Sequence, residues 1–263
     1  MPGGGTRTFL EPDQYEASLR QAQIEAVMVP RGKFKARLTW AELHRLQVLR
    51  CEEDSARVAY VQLAPGLASV TFPEDSQEQP VWRGREMQAA EIVFHSRAER
   101  LHQATPGPSV WNVITMDPAQ LERYGRALSG KPFPSHGDGR VLQPSPRLTA
   151  RLRRLHAQIC RLAETKSKIL SHSEVARAME QGLIQALVEV APVSWTPDYL
   201  GSRSPRWARQ EQPTRLSSAA RWLSWCAPAG RRRSWRVSSN RQHSRSGTGW
   251  HSVSVTPAGA TAA

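Results

Sequence analysis

Between residues 33 and 116 the chain is cut into short apolar runs by turn-forming residues, and this punctuation limits the available folds more than any other feature. The sharpest run is 33–40, where Phe34, Ala36, Leu38 and Trp40 alternate with Lys33, Lys35, Arg37 and Thr39. Side chains on a strand point to opposite faces in turn, so this alternation predicts a strand with one buried and one wet face. Pro30-Arg31-Gly32 supplies the turn before it. Further runs at 44–50, 57–63, 67–72 and 81–82 are separated by Glu52-Glu53-Asp54, Pro65-Gly66 and the stretch 73–80. The segment 91–116 adds two strands, 92–94 and 110–116, expected to pair with each other. Between them lie the charged residues His95, Glu99, Arg100 and His102 and a Pro106-Gly107-Pro108 break that no regular element crosses. Many short strands with turns between them predict an antiparallel β-barrel or sandwich. Residues 1–11 read as a loose arm, and Asp13 as the cap of a short helical turn.

The pattern changes after residue 116. Asp117-Pro118 has the cap and first-turn proline of a helix, with Leu121, Tyr124 and Leu128 as its stripe and Gly130 as its end. A Pro- and Gly-rich linker runs to 146. Beyond it, Leu148, Leu152, Leu155, Ile159 and Leu162 recur at four-and-three spacing, and so do Val175, Met179, Leu183, Leu187 and Val190. Ser171 and Glu174 have the spacing of a capping box. Two such helices predict an antiparallel pair, whose stripes either meet a second subunit or cover the sheet of their own chain.

The last part, 191–263, is of another kind. It holds 11 Arg, no Lys, and only Asp198 and Glu211 as acids; it has 13 Ser and six of the nine Trp, but no Ile, Met or Phe. Most of the net charge of +13 therefore sits in this tail, and residues 1–190 are only mildly basic. With few aliphatic side chains to bury, the tail cannot offset the entropy of ordering, and disorder is expected. The resulting division is an arm (1–19), a β-domain with a flanking helix (20–130), a linker (131–146), a helical segment (147–190) and a disordered basic tail (191–263). Cys51, Cys160 and Cys226 are far apart and show no metal-binding spacing, as expected of reduced thiols. No apolar run has membrane-spanning length and the N-terminus lacks a signal-peptide core, so a soluble, cytoplasmic protein is expected.

Four segments, KFKARLTWAELHRLQVLRCEE, EIVFHSRAERLHQ, DPAQLERYGRALSGK and RLRRLHAQICRLAETKSKILSHSEVARAMEQGLIQALVE, together resemble the sensor half of bacterial AraC/XylS-type transcription regulators over about residues 8–189. The resemblance implies a cupin-like β-barrel that receives a small-molecule effector, a helical segment that pairs two subunits into a homodimer, and a C-terminal DNA-reading module of two helix-turn-helix units. The chain departs from the family after Glu189. The helix stripes, the Gly-Phe turn of the second unit and the closing Phe-x-x-x-Phe-Gly-x-x-Pro pattern are missing. The Ser, Arg, Trp, Pro and Ala found instead are encoded by GC-rich codons, which is the expectation for a GC-rich gene that slipped frame near codon 190. DNA binding is thus expected of the family but not of this chain, which would sense and pair, and could form mixed dimers with a full-length relative.

Three groups of residues carry candidate chemistry. Trp40, Trp82, His95 and Trp111 are large residues on predicted strands and would line a ligand pocket; the plainer reading is that they fill the interior. His95, Glu99 and His102 are of metal-ligand type and would serve a metal-dependent cupin enzyme, the alternative function; the plainer reading is strand-end histidines bonded to backbone. Arg231, Arg232, Arg233 and Arg236 beside Trp235 have the chemistry of non-specific nucleic-acid contact. Leu148, Leu152, Leu155, Ile159 and Leu162 are the expected dimerisation stripe. No phosphate loop, nucleophile elbow or Cys/His pair is present, so neither catalysis nor a cofactor is expected.

Overall fold

The computed structural model describes residues 2–29, 33–74, 79–88, 90–96, 100–130, 140–193, 235–241 and 251–257. They divide into two units, 1–199 and 200–263. The first unit is built on two antiparallel sheets, the expected β-sandwich. The larger sheet has seven strands: β1 (Gly3–Phe9), β3 (Ala36–Glu42), β4 (Leu46–Glu53), β6 (Ala68–Pro73), β9 (Ile92–His95), β11 (Ser109–Met116) and β12 (Arg140–Leu142). Its order is β1-β3-β4-β11-β6-β9-β12. The smaller contains β2 (Ala22–Val29), β5 (Ala56–Leu63), β7 (Val81–Trp82), β8 (Arg85–Glu86) and β10 (Arg100–Thr105), in the order β2-β5-β10-β7-β8. The helices are α1 (Pro12–Ser18), α2 (Pro118–Ser129), α3 (Pro146–Thr165), α4 (Ser167–Leu170) and α5 (Ser173–Val193).

Strand alternation divides the apolar side chains into two cores. On the large sheet, Leu38, Leu49, Cys51, Val93 and Trp111 face inward and meet Trp82 and Leu101 of the small sheet. The intervening residues Ala41, Val48, Val70, Phe72, Ile92 and Ile114 face outward and meet Leu152, Ile159, Leu183 and Leu187 of α3 and α5. Strand β6, between the two cores, is buried at all six positions.

Several expectations need correction. The supposed arm is β1, paired with β3 along its whole length. Three glycines suggest looseness, but they let the strand lie close under its neighbours: a Cβ on Gly4 would stand 2.7 Å from the Trp40 carbonyl oxygen and 3.0 Å from the Ala163 Cβ. Helix α1 starts at Pro12 behind Glu11, which places Asp13 in its first turn and not at its cap. The second face of β3 is not wet, because Thr39 and Ala41 are fully buried where α3 crosses the sheet. Glu52 and Glu53 belong to β4 and not to a turn. The expected pairing of 92–94 with 110–116 does not occur, since β6 lies between β9 and β11. The segment between them contains another strand, β10, which pairs with β5 in the opposite sheet. The linker contributes β12 at the sheet edge. Ser171 donates to the Lys168 carbonyl at 2.7 Å, at the end of α4, and so does not cap α5. Strand β2, unread in the sequence, pairs with β5 over eight positions.

Other local readings hold. Asp117 accepts a bond from the Ala119 amide at 2.8 Å, and Gly130 ends α2 with φ of 70°. Helices α3 and α5 run antiparallel, with Arg151 near the start of one paired to Glu189 near the end of the other. Leu152 and Ile159 are fully buried within the chain; Leu148, Leu155 and Leu162 are half-buried against the same core. The turn at 30–32 lies outside the described residues, as does most of the tail. In the second unit, β13 (Trp235–Arg241) and β14 (His251–Pro257) pair as an antiparallel hairpin. The disorder expected of the rest of the tail falls on residues that are not described.

Candidate functional site

A cavity of about 80 Å³ lies between the two sheets. Inward-facing positions of the large sheet supply Leu49, Ser69, Thr71, His95, Trp111 and Val113 to its wall. The cross-strand register explains the grouping: Ser69 lies opposite both His95 and Thr115, and Thr71 lies opposite Val113. The small sheet supplies Val61, Trp82 and Gln103. Trp82 ends β7 just before a two-residue turn in which Arg83 has φ of 50° and Gly84 φ of 82°. Hairpin turns of this length need positive φ, which Gly84 adopts freely. The Arg83 amide donates to the His102 carbonyl at 2.9 Å, which ties the hairpin to β10.

Beside a Thr115 hydroxyl that donates to Gln21 Oε1, the wall carries two notable sets of polar atoms. One set is an ion-pair network. The Tyr15 hydroxyl donates to Glu53 Oε1 at 2.8 Å, Glu53 Oε2 pairs with Arg57 Nε at 2.8 Å, and Arg57 Nη2 donates to Gln103 Oε1 at 3.0 Å. A buried ion pair is held best when its other donors and acceptors are also met; Tyr15 meets Glu53 Oε1 and Gln103 meets Arg57 Nη2. The other set is open. Trp82 Nε1, Trp111 Nε1 and His95 Nε2 are buried and have no partner among the described residues. Most buried polar groups in proteins are paired, so three unpaired on one cavity mark a place built to bond something. Burial, reinforced by the charge of Arg83, pushes the His95 imidazole down to about 4, so near pH 7 it is neutral. Burial pushes the Cys51 thiol up to about 12, which leaves it protonated and without nucleophilic character.

Three of the four expected pocket residues, Trp82, His95 and Trp111, therefore share the cavity. Trp40 does not line it: the half-buried indole covers Gly5, where an added Cβ would stand 2.9 Å from the ring. The His95, Glu99 and His102 group is not brought together. His95 faces inward from β9, whereas the His102 ring packs on Tyr60 at 5.2 Å, under Arg100, on the other side of β10 from Gln103. Glu99 lies outside the described residues. Among the described residues no three His, Cys, Asp or Glu side chains are placed to hold a metal. Arg231, Arg232 and Arg233 are not described, and Arg236 is described only as a backbone position of β13, opposite Thr256. Tyr15, Glu53, Arg57 and Gln103 escaped the sequence reading. Their one signal there was two opposite charges four positions apart across a presumed turn.

No protein-family model matches the sequence, and no curated protein does. Among solved structures, the AraC-like transcriptional activator CuxR is 14% identical, with a TM-score of 0.50 over 72% of this chain and 69% of that one. The Clostridium difficile EutQ protein is 11% identical with a TM-score of 0.25, over 32% of this chain and 69% of its own. An RmlC-like cupin from Shewanella frigidimarina is 13% identical with a TM-score of 0.24, over 36% and 86%. The first likeness shows the fold: this chain has the architecture found in an AraC-like transcriptional activator.

Proposed function

We propose that the chain is the effector-sensing and subunit-pairing part of a transcription regulator of the AraC/XylS type, with sequence-specific DNA reading lost after about residue 190. The observation that carries the reading is the cavity between the sheets, lined by three residues whose buried polar atoms have no partner among the described residues, in a chain with this fold. A cavity of this kind gives a small effector a place to change the stability of the sandwich. Helices α3 and α5 pack directly on the large sheet, so such a change would reach the segment that pairs subunits. In this reading the half-buried Leu148, Leu155 and Leu162 contribute to the pairing surface, while Leu152 and Ile159 hold α3 to its own sheet. No observation among the described residues favours the metal-dependent enzyme: His95 lines the cavity from the large sheet, whereas His102 belongs to the small sheet and packs on Tyr60.

The test is thermal unfolding of the purified chain with and without the small-molecule fraction of a bacterial extract. A compound that binds only the folded state raises the midpoint by mass action. The expected outcome is a rise that is lost in Thr71→Phe, which fills the cavity. No rise in wild type, or an equal rise in the variant, would count against sensing at this site.

A further inference from the structure

The same cavity, taken as the sensing site just proposed, also restricts the chemistry of what enters it. The ionised side chains among the described lining residues are Glu53 and Arg57, and these face one another at 2.8 Å, with Tyr15 bonded to Glu53 and Gln103 to Arg57. The wall therefore presents no net charge to a guest. Opening the pair to admit an ion would leave a buried charge uncompensated, which is among the costlier changes a protein interior can undergo. Arg83 is exposed on the hairpin turn and is not part of the lining. Among its polar groups are two indole N–H groups, which can only donate, and one imidazole nitrogen, all three without a partner among the described residues, beside the hydroxyls of Ser69, Thr71 and Thr115 and the Gln21 amide. Around these lie Ile24, Leu49, Val61, Leu63 and Val113. At about 30 Å³ per water-sized group, the cavity has room for about three or four such groups.

We infer that the cavity takes a small, uncharged, largely apolar molecule bearing a carbonyl or hydroxyl oxygen, held by the Trp82 and Trp111 indole N–H groups and His95. Such a ligand brings an acceptor for donors that otherwise have none, and it leaves the Glu53–Arg57 pair undisturbed. A carboxylate of the same size brings the acceptor but also a charge without a counter-ion. A hydrocarbon brings neither. The predicted order of binding is therefore uncharged acceptor first, with the carboxylate and the hydrocarbon well behind.

The experiment uses the full ¹⁵N-labelled chain and three probes of four non-hydrogen atoms each: acetone, acetate and isobutane. The indole N–H signals of Trp82 and Trp111 are assigned by their disappearance in Trp82→Phe and Trp111→Phe. Acetone is expected to move these two signals saturably, leave those of the tryptophans outside the cavity in place, and bind at least tenfold more tightly than acetate. Each Trp→Phe variant removes one donor and also enlarges the cavity, so acetone binding should weaken about two- to tenfold relative to isobutane binding in the same variant. If a variant fails to fold, the wild-type titrations decide alone. Tighter binding of acetate, or no response of the two signals to any probe, would overturn the inference. Neither result settles the sensor reading. Stabilisation by the extract without acetone binding removes the ligand class and keeps sensing; the converse keeps the class and removes support for sensing.

Discussion

His156 shows how one residue can tie the helices to the sheet. It projects from α3 to the Leu49 carbonyl oxygen, with Nε2 at 3.0 Å, while Nδ1 lies 3.7 Å from the Cys160 sulfur and the ring meets Phe72 edge-on at 5.3 Å. Burial pushes its pKa down to about 4. The folded state therefore resists a proton that the unfolded chain accepts near 6.5. The stability His156 contributes is complete above the unfolded value and is lost as pH falls from about 6.5 toward 4. Between pH 7 and pH 5 the loss should be on the order of 2 kcal/mol, read as a lower urea midpoint, with a clearly smaller difference in His156→Gln. A drop of equal size in the variant would assign the effect to other groups. His156 stands four positions after Leu152 and three before Ile159, on the face of the apolar stripe, but reading the stripe through its neighbour Leu155 leaves the histidine out. The same holds for Glu53 and Arg57. A pattern of apolar residues treats a charge as outward-facing, and only the other member of the pair reverses that.

Among the elements, β1 departs most from its sequence. A glycine run lacks both alternation and side-chain bulk, so neither signal for a strand is present. Its place is fixed by backbone pairing to β3 and by the close approach of α3 and α4. Gly4→Ala should therefore cost about 1–3 kcal/mol, because the new methyl meets a backbone oxygen that cannot move away. Gly3→Ala, with nothing within 4 Å, should be neutral or slightly stabilising. Chemical denaturation of both variants makes the comparison, and equal effects would mean that β1 does not pack closely. The α3 stripe teaches a related lesson. Four-and-three spacing marked its apolar face correctly, but the face alone does not say what covers it. With Leu152 fully buried in its own chain, a polar substitution there would unfold the protein and not merely separate subunits. Subunit pairing is better probed at the half-buried Leu155.

For the whole molecule, the net charge of +13 lies mostly beyond residue 190. A gel shift should therefore show binding that is the same on a promoter fragment from upstream of the gene and on random DNA, and that falls steeply as salt rises. A preference for the promoter fragment would overturn the proposed loss of specific reading, and the DNA sequence around codon 190 gives the independent check on the proposed frame slip. The sequence alone determined the β-sandwich with its following helices, the positions of most strands and the ends of α2; for the cavity it offered only candidates, Trp82, His95 and Trp111 together with Trp40. Each of these follows from local periodicity and turn chemistry, which depend on residues near one another in the chain. The tertiary structure alone decided which strands are neighbours, that β1 and β2 are strands at all, that Trp40 and His102 lie outside the cavity, and that a buried ion pair crosses its wall. Those outcomes depend on contacts between residues far apart in sequence, where pairing partners and the covering layer, and not the residue's own pattern, set which face is inside.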